Sequence, residues 1–160
     1  MKEINITTSF TVFETLEDLS EEVRNLMLAA IEIREKAYAP YSKFNVGAAL
    51  LLENGKVITG NNQENACYPS GLCAERVAIF SASAHYPGVS IKIIAVTASA
   101  QKHAVVKPVP PCGACRQVLS EYEINQETPM QVYFMGSEGP VVKSASVKNL
   151  LPLTFDSSFL

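Results

Sequence analysis

The sequence predicts an α/β protein in which helices cover both faces of one mixed central sheet, a three-layer α/β/α sandwich. Apolar strand-like runs alternate with helix-like segments along the chain, and this alternation is typical of layered α/β folds. The chain has 160 residues, which is the size of one domain with a substantial core. No repeat, low-complexity stretch or linker divides it. We expect a single domain at residues 20–160, preceded by an N-terminal extension at residues 1–19.

The first half of the chain is predicted to supply an added strand, a long helix and a hairpin. The extension has period-two alternation at Ile4, Ile6, Thr8, Phe10 and Val12. It indicates a strand, with a flexible tail as the alternative. Residues 20–38 have apolar side chains at helical spacing and are followed by Pro40, which ends a helix. Residues 46–52 and 56–60 flank Asn54-Gly55, a typical hairpin turn.

The second half is predicted to alternate helices with strands. One helix begins at Cys73 and ends near residues 86–88, and another begins at Cys112 after a proline. A short C-terminal helix is expected from its cap at Ser146 to Pro152. The strands between and after these helices are predicted at residues 92–98, 131–135 and 141–142.

Three cysteines and one glutamate form the most informative pattern. Cys73 is two residues before Glu75, while Cys112 and Cys115 are one helical turn apart. All three lie where a predicted helix begins, and helix N-termini favour thiolates. A catalytic zinc site keeps one position for water, whereas a structural site usually has four protein ligands. The pattern resembles the signature of zinc-dependent nucleobase deaminases. It predicts zinc at the three cysteines and proton transfer by Glu75.

The residues near this motif allow some alternatives. Three thiolates give a zinc site a formal charge of about −1. A hydrogen-bond donor to a thiolate sulfur would draw off part of this charge, and Arg76 or Arg116 could supply that donor. We expect Arg76 in this supporting role. The alternative for Glu75 and Arg76 is an ordinary solvated first turn. Cys67 is expected to be a small apolar residue; the alternative, a fourth zinc ligand, would make the site structural.

Composition excludes several functional classes. The formal net charge is −3 and no Lys/Arg cluster occurs, so we expect no nucleic-acid partner, because a polynucleotide substrate requires a basic surface. No apolar run approaches the roughly 20 residues that span a bilayer, and no signal peptide is evident at the N-terminus. Four cysteines without a targeting signal favour a reducing compartment. We expect no membrane partner and a cytoplasmic location.

Five separated blocks are similar to the small homotetrameric cytidine deaminases of pyrimidine salvage. They span about residues 21–155 and comprise residues 38–50, 62–69, 73–76, 111–118 and 150–155. The resemblance implies hydrolytic deamination of cytidine or 2′-deoxycytidine to uridine or 2′-deoxyuridine plus ammonia. It also implies one Zn²⁺ per subunit, a small nucleoside substrate, and a homotetramer whose sites lie at subunit junctions.

The same resemblance assigns substrate-binding roles to six residues: Phe44, Asn62, Glu64, Ala66, Tyr68 and Phe155. Asn62 and Glu64 would hold the ribose hydroxyls, since an amide and a carboxylate can present a donor and an acceptor together. Phe44 would line the pyrimidine pocket, and the last three residues would lie near a junction between subunits. Judged alone, residues 62–64 are more typical of a polar loop, and Phe44 and Phe155 are more typical of ordinary packing.

The sequence departs from the family pattern at two positions, and it allows two other functions. Asn61 and Gln63 stand where the family usually has small or apolar residues, which changes the packing under the predicted sugar site. A deaminase of the same fold could act on a different amine, such as blasticidin S. A zinc-binding or interaction module without activity would use the metal only to hold the fold.

Overall fold

Six strands form one mixed sheet in the computed structural model, which describes residues 1–160. They are β1 (Phe10–Phe13), β2 (Phe44–Leu52), β3 (Val57–Asn61), β4 (Ile91–Ala100), β5 (Gln131–Met135) and β6 (Val141–Ser144). The strand order is β1-β6-β5-β4-β2-β3. Only β4 and β5 are parallel neighbours; the other pairs are antiparallel. The predicted mixed central sheet is therefore confirmed.

Three helices cover the sheet: α1 (Glu21–Arg34), α2 (Ala74–His85) and α3 (Gly113–Ile124). Successive side chains of a strand face opposite sides of a sheet, so Leu50 and Leu51 of β2 belong to different cores. Leu51 packs with α1, and Leu50 packs with α2 and α3. The three-layer α/β/α arrangement is thus confirmed. None of the helices combines the length and apolar character that crossing a membrane requires.

The N-terminal strand is shorter than predicted. β1 pairs along its whole length with β6, from Phe10 opposite Ser144 to Phe13 opposite Val141. Residues 1–9 have no regular secondary structure. Because β6 ends at Ser144, residues before Phe10 have no strand to pair with. The strand is confirmed at Phe10 and Val12 and wrong for the residues before them.

The first helix also ends earlier than the predicted boundary at residue 38. α1 ends at Arg34, four residues before Tyr38. The Tyr38 amide donates to the carbonyl of Asn62 at 3.0 Å, and its carbonyl accepts from the amide of Glu64 at 2.9 Å. These strand-like bonds to the segment after β3 replace the helical bonds of Tyr38, which local propensity alone would not reveal.

The predicted C-terminal helix from Ser146 to Pro152 is wrong. The chain makes one turn there, in which the amides of Leu150 and Leu151 donate to the carbonyl of Val147. The Glu123 carboxylate accepts from the amides of Val147 and Lys148 at 2.9 and 3.0 Å, and Pro152 follows directly. The Glu123 carboxylate thus satisfies the first amides of this turn, and Pro152, which has no N–H to donate, prevents the turn from continuing as a helix.

Candidate active site

The three predicted metal ligands meet where two helices begin. Cys73 and Cys112 are the N-cap residues of α2 and α3, and Cys115 lies in the first turn of α3. Their sulfur atoms lie within 4.8 Å of one another, and those of Cys73 and Cys112 are 4.0 Å apart. Zn–S bonds of about 2.3 Å in a tetrahedron place sulfur atoms about 3.8 Å apart. The three thiols therefore fit one zinc ion.

Close packing of α2 on β3 puts Cys73 in place. A Cβ added to Gly60 would lie 2.5 Å from the Ala78 nitrogen and 2.6 Å from the Ala74 carbonyl oxygen. Only glycine permits this approach. Ala74 and Ala78 are fully buried there, so the N-terminus of α2 is fixed against the sheet. The cysteine that caps this helix is fixed with it.

One thiol of this cluster, that of Cys73, favours the charged thiolate form at neutral pH. Hydrogen bonding with Cys115, together with the Arg76 guanidinium, lowers the pKa of Cys73 to about 5. The pKa of Cys115 is raised, because its hydrogen bond to Cys73 and its burial favour the protonated thiol. A thiolate with neighbouring thiols is a suitable donor set for a soft or borderline cation.

One of the two candidate arginines contacts this cluster. Arg76 Nη2 lies 3.7 Å from Cys73 Sγ, whereas Arg116 donates to the carbonyls of Pro111 and Leu150 at 2.7 and 3.1 Å. The suggestion that Arg116 bonds a thiolate is therefore wrong, because two backbone carbonyls take its guanidinium. Cys67 is exposed and outside the cysteine cluster.

Glu75 is a buried carboxyl beside the metal ligands. It is only 5% exposed, and burial raises the pKa of its carboxyl above the ordinary value. The alternative of a solvated first-turn residue is therefore wrong for Glu75. A carboxyl whose neutral form is favoured by its surroundings can both accept and donate a proton during a reaction.

A cleft of about 600 Å³ opens onto this cluster, a volume in the range of small-molecule sites. Its inner end is lined by Cys73, Glu75, Arg76 and Cys112. Its outer walls include the predicted residues Phe44, Asn62, Glu64 and Tyr68. Cys115 lies behind the lining, fully buried. The structure thus brings four of the six predicted substrate-binding residues to one cleft with the metal group.

The side chains of Asn62 and Glu64 are already anchored to the backbone. Asn62 accepts from the amide of Val46 at 2.8 Å and donates to the carbonyl of Phe44 at 2.9 Å. Glu64 Oε2 accepts from the amides of Tyr41 and Ser42, and hydrogen bonding by the Ser42 side chain lowers the pKa of this carboxyl. One N–H of Asn62 and Oε1 of Glu64 remain for a ligand.

Two of the predicted residues lie outside the cleft of their own chain. Ala66 is in the exposed loop before α2, and Phe155 stacks on Phe159 with ring centroids 5.7 Å apart. Tyr68 reaches the cleft but is 75% exposed, with its ring 6.0 Å from that of Tyr41. The outer end of the cleft is therefore open in a single chain.

The sequence interpretation assigned no site role to ten of the 18 lining residues, among them Tyr41, Ser42, Val109 and Pro110. The first two belong to the block at residues 38–50 that carries the family resemblance, which was the available signal. Val109 and Pro110 directly precede the second metal motif. A loop that delivers a ligand to a metal necessarily passes the site, so position alone could have indicated them.

Comparisons with known proteins agree with this geometry. The family model for the cytidine and deoxycytidylate deaminase zinc-binding region matches residues 20–129. The cytidine deaminase of Halalkalibacterium halodurans is 44% identical over 130 residues, which is 81% of this chain and 91% of that protein. The chain belongs to the cytidine deaminase family. A second cytidine deaminase, from Sporosarcina psychrophila, is 43% identical over 140 residues, 87% of this chain and 95% of its own.

A solved cytidine deaminase shares the fold. The crystal structure of the enzyme from Burkholderia pseudomallei matches with a TM-score of 0.72 at 43% identity, covering 86% of this chain and all of that one. This confirms the expected cytidine deaminase-like fold and the assignment of this chain as a hydrolase of that type. The matched zinc-binding region contains the three clustered cysteines, which confirms zinc as the expected cofactor.

Proposed function

We propose that this protein hydrolyses cytidine and 2′-deoxycytidine to uridine and 2′-deoxyuridine, releasing ammonia, in pyrimidine salvage. One cleft combines a three-thiol metal group, a buried carboxyl and two polar side chains at a distance from the metal. That combination is the observation that carries the proposal. It provides one end for the reacting base and another for the sugar.

The inner end of the cleft performs the chemistry. Cys73, Cys112 and Cys115 would hold zinc, which supplies Lewis acidity and so makes water a better nucleophile near neutral pH. Glu75 accepts one proton from the attacking water and delivers it to N3 of the cytosine ring. It then takes the remaining proton from the new hydroxyl at C4 and delivers it to the departing amine as the C4–N bond breaks. One water is consumed and one ammonia leaves, so the reaction balances without a redox step.

The outer end selects the substrate. Phe44 provides an apolar wall for the pyrimidine, while the free N–H of Asn62 and the free Oε1 of Glu64 hold the sugar hydroxyls. Free cytosine would leave these polar groups unpaired, which makes it a poor substrate. Arg76 supports the metal through Cys73.

The open rim supports an assembly in which neighbouring chains complete the sites. Phe155, at 59% exposure, and the exposed Ala66 and Tyr68 would meet at a junction between subunits of a homotetramer. The proposal places this assembly in the cytoplasm, since four free cysteines, three of them in the metal group, suit a reducing compartment. The substrate is a free nucleoside, consistent with the formal charge of −3.

One relative justifies a second candidate substrate. The blasticidin-S deaminase of Bacillus cereus is 29% identical over 116 residues, 71% of this chain and 79% of that protein. Its name identifies an amine-bearing compound other than a simple nucleoside. Blasticidin S therefore belongs in the same assay as cytidine.

The test is release of ammonia from cytidine, 2′-deoxycytidine, cytosine and blasticidin S, with zinc measured in each protein. We expect ammonia from the two nucleosides, little from cytosine, and none from Glu75→Gln with zinc retained. Glu53→Gln, at an exposed hairpin position, is the matched control and should behave as the native chain. Turnover of cytosine as fast as cytidine would refute the roles of Asn62 and Glu64.

A further inference from the structure

The segment from Asn61 to Glu64 connects the two ends of the cleft. The amide of Gln63 donates to the carbonyl of Leu72, and the amide of Leu72 donates back to Gln63, each at 2.9 Å. Leu72 directly precedes the metal-group residue Cys73. On its other side the segment bonds to the backbone of Tyr38. A shift of this segment would therefore move the sugar-facing side chains relative to the metal group.

Two side chains of this segment bond to each other and tie the segment to α1. Asn61 is 8% exposed and donates through Nδ2 to the carbonyl of Ile33, in the last turn of α1, at 3.0 Å. Gln63 Nε2 donates to Asn61 Oδ1 at 2.5 Å. Asn62 and Glu64 line the cleft with side-chain groups left for a ligand, whereas Asn61 anchors the segment to α1. Gln63 is exposed and borders the cleft, and its side chain holds the Asn61 amide in place.

The direction of this chain of hydrogen bonds is fixed. A backbone carbonyl can only accept, so Asn61 must turn its NH₂ group toward Ile33 and its oxygen toward residue 63. Residue 63 must then be a donor. Glutamine satisfies this requirement, whereas an apolar side chain leaves a nearly buried oxygen without its partner, which is unfavourable.

We propose that Asn61 and Gln63 are positioning residues that set the spacing of Asn62 and Glu64 for the sugar hydroxyls. The inference rests on the proposed nucleoside deaminase function and extends it to substrate selectivity. Asn61 lies outside the cleft lining and Gln63 borders it, and both act on the sugar-binding side chains through the segment. Misplacement of the binding groups by about 1 Å is enough to weaken binding and turnover.

The experiment compares cytidine with 2′,3′-dideoxycytidine, which lacks the 2′ and 3′ hydroxyls of the sugar, in three variants. Asn61→Leu should lower kcat/KM for cytidine about tenfold, mainly through KM, and change it less than about twofold for the dideoxynucleoside. Gln63→Met should lower kcat/KM about threefold for cytidine and leave it unchanged for the dideoxynucleoside. Gln63→Lys restores a donor and should recover most of that loss. Zinc content should be native in all three.

Hydrogen exchange without substrate supplies an independent readout. The amides of Gln63 and Glu64 should exchange at least about tenfold faster in Asn61→Leu, while amides of β4 keep native protection. Unchanged exchange at Gln63 and Glu64 would overturn the inference. Equal losses for both nucleosides, or a Gln63→Lys protein as impaired as Gln63→Met, would also overturn it.

The two proposals fail in different ways. If the native protein retained zinc but released no ammonia from cytidine, the proposed function would be wrong. The exchange rates in the same proteins would still decide whether Asn61 and Gln63 hold the segment in place. Native activity combined with unaltered exchange in Asn61→Leu would instead reject the positioning role and leave the proposed function intact.

Discussion

The inner and outer ends of the cleft are built in opposite ways. At the inner end, Cys115 is fully buried and Glu75 is 5% exposed, and both belong to helices packed on the sheet. At the outer end, Tyr68 is 75% exposed and Phe155 lies outside the cleft, 59% exposed. One chain thus completes the metal group and leaves the rim open.

This difference separates chemistry from substrate selection. One chain supplies all the groups proposed to bind metal and move protons, from the starts of two helices packed on its sheet, so their geometry depends on folding alone. The proposed function assigns the rim to neighbouring chains, so substrate binding there depends on assembly. Substitutions at the inner end should therefore affect zinc and turnover, and those at the outer end should affect substrate binding with zinc unchanged.

The largest effect is expected at the buried metal ligand. Cys115→Ser removes a thiolate from the fully buried position of the cluster, so zinc should be lost and turnover should fall by on the order of 10³-fold or more. Zinc analysis and the ammonia assay measure both. Cys67→Ser, outside the cluster, is the matched control. Native zinc content in Cys115→Ser would contradict the assignment of Cys115 as a metal ligand at the inner end of the cleft.

A smaller effect is expected where an arginine supports the metal. Arg76→Gln removes the guanidinium that lies 3.7 Å from Cys73 Sγ and should weaken zinc binding about tenfold to a hundredfold. Competition with a chelator measures the affinity. Arg24→Gln, on the distant helix α1, controls for the loss of charge. If the two variants bound zinc equally well, Arg76 would have no part in the metal site.

The rim should respond differently. Phe155→Ala is expected to lower kcat/KM for cytidine about tenfold while leaving zinc content unchanged, since the proposed function assigns this ring a contact with substrate in a neighbouring chain. Kinetics and sedimentation of the same sample test this. Phe10→Ala removes an equally large ring from the far edge strand as a control. A native kcat/KM in Phe155→Ala would remove this residue from the site.

The smallest effect concerns the link between the two ends. The carboxylate of Glu123 on α3 accepts from the amides of Met130, Val147 and Lys148 and so ties the segment leading to Phe155 onto a metal-binding helix. Glu123→Gln should lower the free energy of unfolding by about 1–2 kcal/mol, measured by urea denaturation. Unaltered stability would mean that the C-terminal segment is held by other contacts.

Sequence patterns predicted the elements whose determinants are local. The apolar run at residues 92–98 lies within β4, and residues 131–135 form β5. Cys73 and Cys112 are the N-cap residues of α2 and α3, so both cysteine motifs begin helices as predicted. The same motifs predicted the metal group, because a turn of helix fixes the Cys112–Cys115 spacing. The meeting of Cys73 with them depends on the packing of α2 on β3, and the family resemblance supplied that information.

Two of the errors occurred where distant contacts override local preference. Tyr38 leaves the helix because the segment after β3 offers it backbone partners. Arg116 bonds the carbonyl of Leu150 as well as that of Pro111, and no thiolate. Asn62 and Leu150 are far from these residues in sequence, so no pattern in the segment itself indicates them. The single turn at residues 147–150 has a local cause, since Pro152 prevents its continuation.

The central claim is that zinc in this chain is held by three thiolates with one position left for water. X-ray absorption at the zinc edge counts the sulfur neighbours directly. The account predicts three sulfur atoms at about 2.3 Å and one lighter oxygen or nitrogen neighbour, with no change in Cys67→Ser. Four sulfur neighbours, falling to three in Cys67→Ser, would show a closed structural site and contradict the account.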